Sequence, residues 1–367
     1  MTGNCIEEKG SMYYLYVLLF VLLLLNVLFL PAPILSQEET SLDLRRVQKF
    51  DIEGNYIKSW GIDGTEVGQF LHIHGIALDT RGNLLAVDEE KNEVQKFDSE
   101  GNYITSWGSE GEGAGQFSSK IEDITVDTED NVYVVDYGSN RIQKFAADGT
   151  FITSWGEKGS DAGQFDRPWG IAFDSQGHVY VTDRENHRVQ KFVDNGTFIT
   201  AWGSNGTSSG QFLKPAGIVL DRTRSVYVVD EEKNEVQKFD SEGNYIASWG
   251  FEGNAVGQFK EPHGISVDST GNIYVADTGN TRIQKFNPQG EYIDSWGIKG
   301  ISEGEFLFPT DIVVNPIDNT IFVSDQKLQH PEKNIVNTFL NSQSPTSGLA
   351  TEEEGEDGEG EDGEGEG

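Results

Sequence analysis

The chain has 367 residues, a formal charge of −34 at neutral pH and one cysteine, Cys5. Such an excess of carboxylates repels phosphate backbones, which only Lys and Arg can neutralise, and so excludes a nucleic-acid partner. A lone cysteine likewise excludes a disulfide framework and any Cys-based zinc module.

Residues 1–36 are dominated by the run Met12–Leu30, 19 residues in which only Asn26 is polar. As a helix the run is about 28 Å long, close to the roughly 30 Å of a bilayer's hydrocarbon core. It exceeds the apolar stretch of about 7–15 residues in a secretory signal, and Glu7, Glu8 and a single Lys9 precede it. It therefore reads as an uncleaved membrane anchor, with a cleaved signal peptide as the alternative. Both readings place the rest of the chain outside the cytoplasm, either anchored to a membrane or secreted. Arg45, Arg46 and Lys49 run against that orientation by the positive-inside rule, although large translocated domains often escape it. Asn195-Gly-Thr197 and Asn205-Gly-Thr207 match the N-glycosylation acceptor, which fits export.

Residues 37–340 are repetitive. Ser/Ala-Trp-Gly recurs at Trp60, Trp107, Trp155, Trp202, Trp249 and Trp296, at intervals of 47, 48, 47, 47 and 47 residues. A fixed period of this size marks a repeat architecture. Within one unit, Ile171–Asp174, Val179–Asp183, Arg188–Phe192 and Phe198–Trp202 are short β-branched and aromatic runs separated by turn residues. Nothing has helical period, so each unit is a four-stranded antiparallel sheet. Gly54, Gly101, Gly149, Gly196, Gly243 and Gly290 mark the turn between third and fourth strands. A Gly-rich link then ends in Phe70, Phe117, Phe165, Phe212, Phe259 or Phe306 and carries the chain from one sheet to the next. Radial repetition of such sheets predicts an all-β, six-bladed β-propeller. The chain opens mid-blade, at Arg46–Phe50 and Tyr56–Trp60, and the repeat ends with a first and a second strand, so the halves should complete one blade. Asn334–Phe339 competes with Val47–Phe50 for the third-strand slot of that blade.

Asp-Thr-Gly-Asn-Thr-Arg282-Ile-Gln-Lys-Phe286, preceded by Pro262-His-Gly-Ile-Ser-Val-Asp268, resembles the NHL repeat, and the likeness recurs across residues 45–339. It implies an NHL-type propeller. It implies little about function, because the family holds RNA-binding domains, peptidyl-amide lyases, receptor-kinase ectodomains and secreted proteins.

Positions that recur in every unit should be packing, so function is sought where the copies differ. The second-strand aspartates Asp88, Asp136, Asp183, Asp230, Asp277 and Asp325 should cap the loops that follow them. Arg141, Arg188 and Arg282 are placed to pair with three of these; Glu93 and Glu235 stand at the same position in the first and fourth blades. Those two blades share an identical run at 87–104 and 229–246, and its Asp-Glu-Glu clusters read as copied solvated loops rather than cation sites. The most variable position lies two residues before the Ile of each first strand. Its occupants are His74, Glu122, Trp169, Ala216, His263 and Thr310, with Asp123 and Asp311 replacing the Gly that usually follows. Loops here should face the mouth of the central channel, with no packing role toward neighbouring blades. His74, Glu122, Trp169, His263 and Thr310 are therefore the candidate ligand-binding rim, Trp169 being either its anchor or a plug. His74, Glu122 and His263 could together take a divalent metal, Zn or Ca. In the amide lyases a Pro-His-Gly rim supplies zinc histidines. His263 matches that pattern, His74 matches only its His-Gly, and a third rim histidine is missing.

Residues 341–367 end in Thr351–Gly367, with eight Glu, two Asp and no Lys or Arg. This composition predicts a disordered acidic tail. The whole reads as an exported interaction scaffold for a protein, peptide or glycan, the alternative being a metal-dependent lyase or lactonase acting at the funnel.

Overall fold

The computed structural model describes residues 45–118 and 120–326. The hydrophobic segment within 1–36, the competing strand at 334–339 and the acidic tail at 341–367 lie outside the described residues. Among the described residues no helix is long and apolar enough to cross a membrane.

Twenty-four strands form six sheets of four, each in simple up-and-down order. The first five blades span Ile73–Trp107, Ile124–Trp155, Pro168–Trp202, Pro215–Trp249 and Ile265–Trp296. The sixth is composite. Strands β1 (Arg46–Phe50) and β2 (Tyr56–Trp60) pair with β24 (Ile321–Asp325) and β23 (Pro309–Val314), in the order β2-β1-β24-β23. Arg46 faces Asp325 and Phe50 faces Ile321, so the N-terminal strand holds the third-strand slot. Both ends of the repeat are thus locked in one sheet, and the ring has no open edge.

The core lies between blades. Each cluster draws aromatic and β-branched side chains from two consecutive sheets, as where Leu85 and Val87 of the first pack with Ile124 and Val134 of the second. A sheet this small cannot bury either face alone, so each depends on its neighbours. The recurring tryptophans make the same join on the outer side. A Cβ on Gly101 would fall 2.5 Å from the Trp60 ring, and one on Gly54 would fall 2.7 Å from Trp296. These turn glycines also have φ near +80°, so glycine is required twice over.

The second-strand aspartates cap their loops as expected. Asp183 accepts the Asp166 amide and pairs with Arg188 at 2.8 Å; that guanidinium also donates to the carbonyls of Ser160, Asp161 and Gln164 in the preceding link. In the first and fourth blades, where Glu93 and Glu235 replace the arginine, Lys91 and Lys233 reach the equivalent carbonyls from two residues upstream. At the ring closure Arg46 plays the arginine's part. It donates to Ile301, Ser302 and Glu305 carbonyls and pairs with the fully buried Asp325 at 3.4 Å. Arg46→Ala leaves that carboxylate uncompensated and should cost about 3–5 kcal/mol. Calorimetry should show a lowered and broadened transition, whereas an unchanged one would mean that β1 does not hold the ring shut.

Candidate functional site

Four of the first strands enter the channel through an irregularity in register, as between Ile73 and Ile76 in the first blade and between Pro168 and Ile171 in the third. The irregularity turns the variable residue toward the axis and brings the next one against the neighbouring blade. Gly75 donates to the Glu122 carbonyl, Gly217 to that of His263 and Gly264 to that of Thr310. A Cβ on Gly75 would meet the Asp123 Cα at 2.6 Å, so glycine here is set by the close approach of backbones. Where Asp replaces it, the carboxylate serves the next blade: Asp123 accepts the Ile171 amide and Asp311 the Ile76 amide.

The candidate rim residues do converge, but as a packed cap rather than an open rim. His74, Glu122 and Thr310 are buried, and so is Ala216. This corrects the expectation that they lack packing roles: the ring is narrow, and each side chain meets those of other blades. Trp169 crosses the axis. From the third blade its ring lies edge-on to His74 of the first at 5.5 Å and to His263 of the fifth at 5.9 Å. The Arg184 guanidinium stacks 4.2 Å from its centroid, and the Lys120 ammonium lies at 5.3 Å. Trp169 is a plug. Beneath it a void of about 20 Å³ is lined by His74, Glu122, Asp123, His263, Thr310 and Asp311 among others, space for about one water. From the opposite face a larger cavity of about 200 Å³, lined mainly by Ile, Val, Leu and Ala, reaches Asp123 and Asp311.

The charges at the cap form two separate sets. His74 Nδ1 lies 3.1 Å from the Glu122 carbonyl oxygen and 3.2 Å from its Oε2, while Lys120 Nζ lies 2.7 Å from Oε1. In the second set, Glu231 binds Arg184 at 2.6 Å and lies 3.5 Å from His263 Nε2. His74, Glu122 and His263 all line the small void, and Trp169 packs edge-on against both histidines. Among the described residues no group of three or more His, Cys, Asp or Glu is placed to hold a metal ion. Burial lowers the pKa of both histidines below the usual 6.5. It raises that of Glu122 in spite of Lys120.

Two further rings of variable residues surround the cap; of these only Glu89 and Glu231 stood out in the sequence, as parts of acidic clusters. One follows the second-strand aspartate: Glu89, Tyr137, Arg184, Glu231, Thr278 and Gln326. The other lies two residues before each rim position: His72, Lys120, Arg167, Lys214, Glu261 and Phe308. Burial lowers the pKa of His72 to about 4 and raises that of Glu89 to about 7. Asp88 and Asp230, once weighed as parts of cation sites, cap loop amides instead. The signal that could have found these rings was the same one that found the first, a position whose occupants vary in chemistry among the six copies.

Comparison with known proteins fits this geometry. Residues 165–192 and 259–286 match the NHL-repeat family model, and residues 69–155 match one described as a 6-bladed beta-propeller. The chain is a six-bladed β-propeller that carries NHL repeats. No curated protein matches it in sequence. Among solved structures, a Bacteroides thetaiotaomicron protein of unknown function is 19 % identical, with a TM-score of 0.57 over 76 % of this NHL-repeat chain and 76 % of its own. A catalytically inactive virginiamycin B lyase from Staphylococcus aureus with quinupristin is 15 % identical, with a TM-score of 0.51 over 78 % and 89 %. A gluconolactonase from Xanthomonas campestris is 12 % identical, with a TM-score of 0.51 over 71 % and 88 %. At these identities the likeness shows the fold alone.

Two outcomes follow from the cap. Trp169→Ala should cost about 1–3 kcal/mol and lower Tm by several degrees, because it removes a packed indole and its cation–π contacts; an unchanged Tm would show that the indole does not plug the channel. Asp123 and Asp311 face one lumen, where burial, reinforced at Asp123 by repulsion from Asp311, raises both pKa values, Asp311 to about 7. A carboxyl whose folded pKa is raised stabilises the protein fully below its unfolded value of about 4 and loses that contribution as pH climbs through about 7. Asp311→Asn should therefore raise Tm near pH 8 and leave it little changed near pH 4. The opposite pattern would refute the raised pKa.

Proposed function

We propose that this propeller is a non-catalytic binding scaffold, exported and tethered by its N-terminal segment, that takes a protein, peptide or glycan across its capped mouth. The observation that carries this reading is the Trp169 indole seated over a void of about 20 Å³. The acid–base pairs His74–Glu122 and His263–Glu231 lie beneath or beside that indole, with no volume for a substrate between them. Recognition then falls to the surface of the cap, where His72, Tyr137, Trp169, Lys214 and Phe308 are half-buried. Aromatic side chains set among charges are the usual material of binding hot spots. The acidic balance of the chain and the carboxylates Glu89, Glu90, Glu231 and Glu232 around this face disfavour nucleic acid.

A metal-dependent lyase or lactonase is the second reading. Two His–carboxylate pairs at the mouth favour it, together with the lyase and gluconolactonase among structures of similar fold. Peptide and glycan arrays probed with the full chain separate the two. The scaffold reading expects captured sequences or sugars whose binding falls at least tenfold in Tyr137→Ala and Phe308→Ala, with Tm within a few degrees of the parent. Turnover of a lactone or cyclic depsipeptide that depends on added divalent metal would contradict it.

A further inference from the structure

The links between blades differ around the ring in a way the repeat does not require. Three consecutive links, those after Trp249, Trp296 and Trp60, expose Phe251, Val256, Ile298, Ile301, Ile62 and Val67, each between 50 % and 68 % accessible. Phe251, Ile298 and Ile62 stand second after the tryptophan, Val256 and Val67 seventh and Ile301 fifth; the second and seventh positions of the other three links carry Ser109, Glu157 and Ser204, and Ala114, Ala162 and Ser209. These six side chains lie outside the core, so packing does not call for Ile, Val or Phe at their positions. Half of the ring therefore presents apolar loop tips and half presents polar ones. Asn205 of one glycosylation acceptor is exposed on the polar half.

The chain also enters the ring on the apolar half. Arg45, the first described residue, pairs with Asp63 in the link after Trp60, and its carbonyl lies against Gly61. The apolar run Met12–Leu30 ends 14 residues earlier, a stretch that reaches at most about 50 Å. Paired aliphatic or aromatic tips set on separate loops suit partial insertion into a lipid interface better than a single protein groove. The same loops carry Glu66, Glu252 and Glu303, which anionic headgroups would repel.

We propose that this apolar arc seats the propeller on a zwitterionic bilayer, the one that the N-terminal segment enters. The proposal rests on reading residues 12–30 as a membrane segment. The arc fixes which side of the ring meets lipid, and the glycosylation acceptor at Asn205 then lies on the side turned to solvent.

The test uses the full chain with Cys5→Ser, carrying either Val256→Cys or Ser209→Cys labelled with an environment-sensitive fluorophore, reconstituted in phosphatidylcholine vesicles. The label at position 256 should shift to the blue and be quenched at least twofold by lipid-chain nitroxides. The label at 209, the equivalent position of the polar half, should respond only to aqueous iodide. Equal iodide quenching at both positions overturns the proposal. So does shielding at 256 that ignores lipid nitroxides and vanishes on dilution, which would assign the arc to a second copy of the chain. Flotation of the vesicles at alkaline pH reports the anchor separately. Protein that floats without lipid quenching refutes the docking arc alone, and protein that fails to float refutes the anchor and the arc together.

Discussion

An indole lying under the turn glycine of the next blade is the contact on which the ring depends. Trp60 packs against Gly101, Trp107 against Gly149, and the series returns to its start when Trp296 meets Gly54. A four-stranded sheet of this size has two faces and no helix to cover either, so its apolar side chains are buried only if another blade stands on each side. The spacing of the tryptophans is therefore the spacing of the joints. The Asp–Arg clamps tie each link to the blade it enters, and Lys91 and Lys233 preserve that tie where the arginine is lost. Closure adds the last joint through β1, whose Arg46 and Gln48 both donate to the Glu305 carbonyl across the chain's two ends.

A ring made in this way brings six first strands close to one axis, and crowding there decides the chemistry. Backbones approach so closely that glycine is preferred at positions 75, 170, 217 and 264, and aspartate is accepted only where its carboxylate serves a neighbour's amide. Side chains two steps from the axis have little room. One large residue, Trp169, fills the mouth, with the small Ala216 in the next blade. The cations Arg184 and Lys120 hold the indole through its π system, and each is in turn bound by a carboxylate. The cap is thus a packed structure that happens to be polar, which is why its histidines are held neutral by burial.

The fold was legible because period, turn glycines and strand patterns all report the same unit. The strand that fills the closing slot was not, since Val47–Phe50 and 334–339 offer similar strand patterns, and only pairing with β24 decides between them. The site was half legible. Variation among copies marked His74, Glu122, Trp169, His263 and Thr310 as one ring, but variation carries no record of burial. Three of those five are buried where exposed rim residues were expected. Glu89 and Glu231 read as solvated loop residues because they lie in a run copied identically between two blades. Glu89 meets His72 of its own blade, whereas Glu231 meets Arg184 of the third blade and His263 of the fifth. Identity in sequence hid a difference in environment.

The packing of the Trp169 indole against both His74 and His263 is the feature that most divides a capped scaffold from a metal enzyme. Histidine side-chain NMR, followed through a pH titration with and without added zinc, measures it directly. Both histidines should stay neutral down to below the usual pKa of 6.5, and zinc should leave their ring nitrogens unshifted. Joint displacement of the His74 and His263 nitrogens on a stoichiometric addition of zinc would show the two brought together on one ion, and would contradict the plugged mouth.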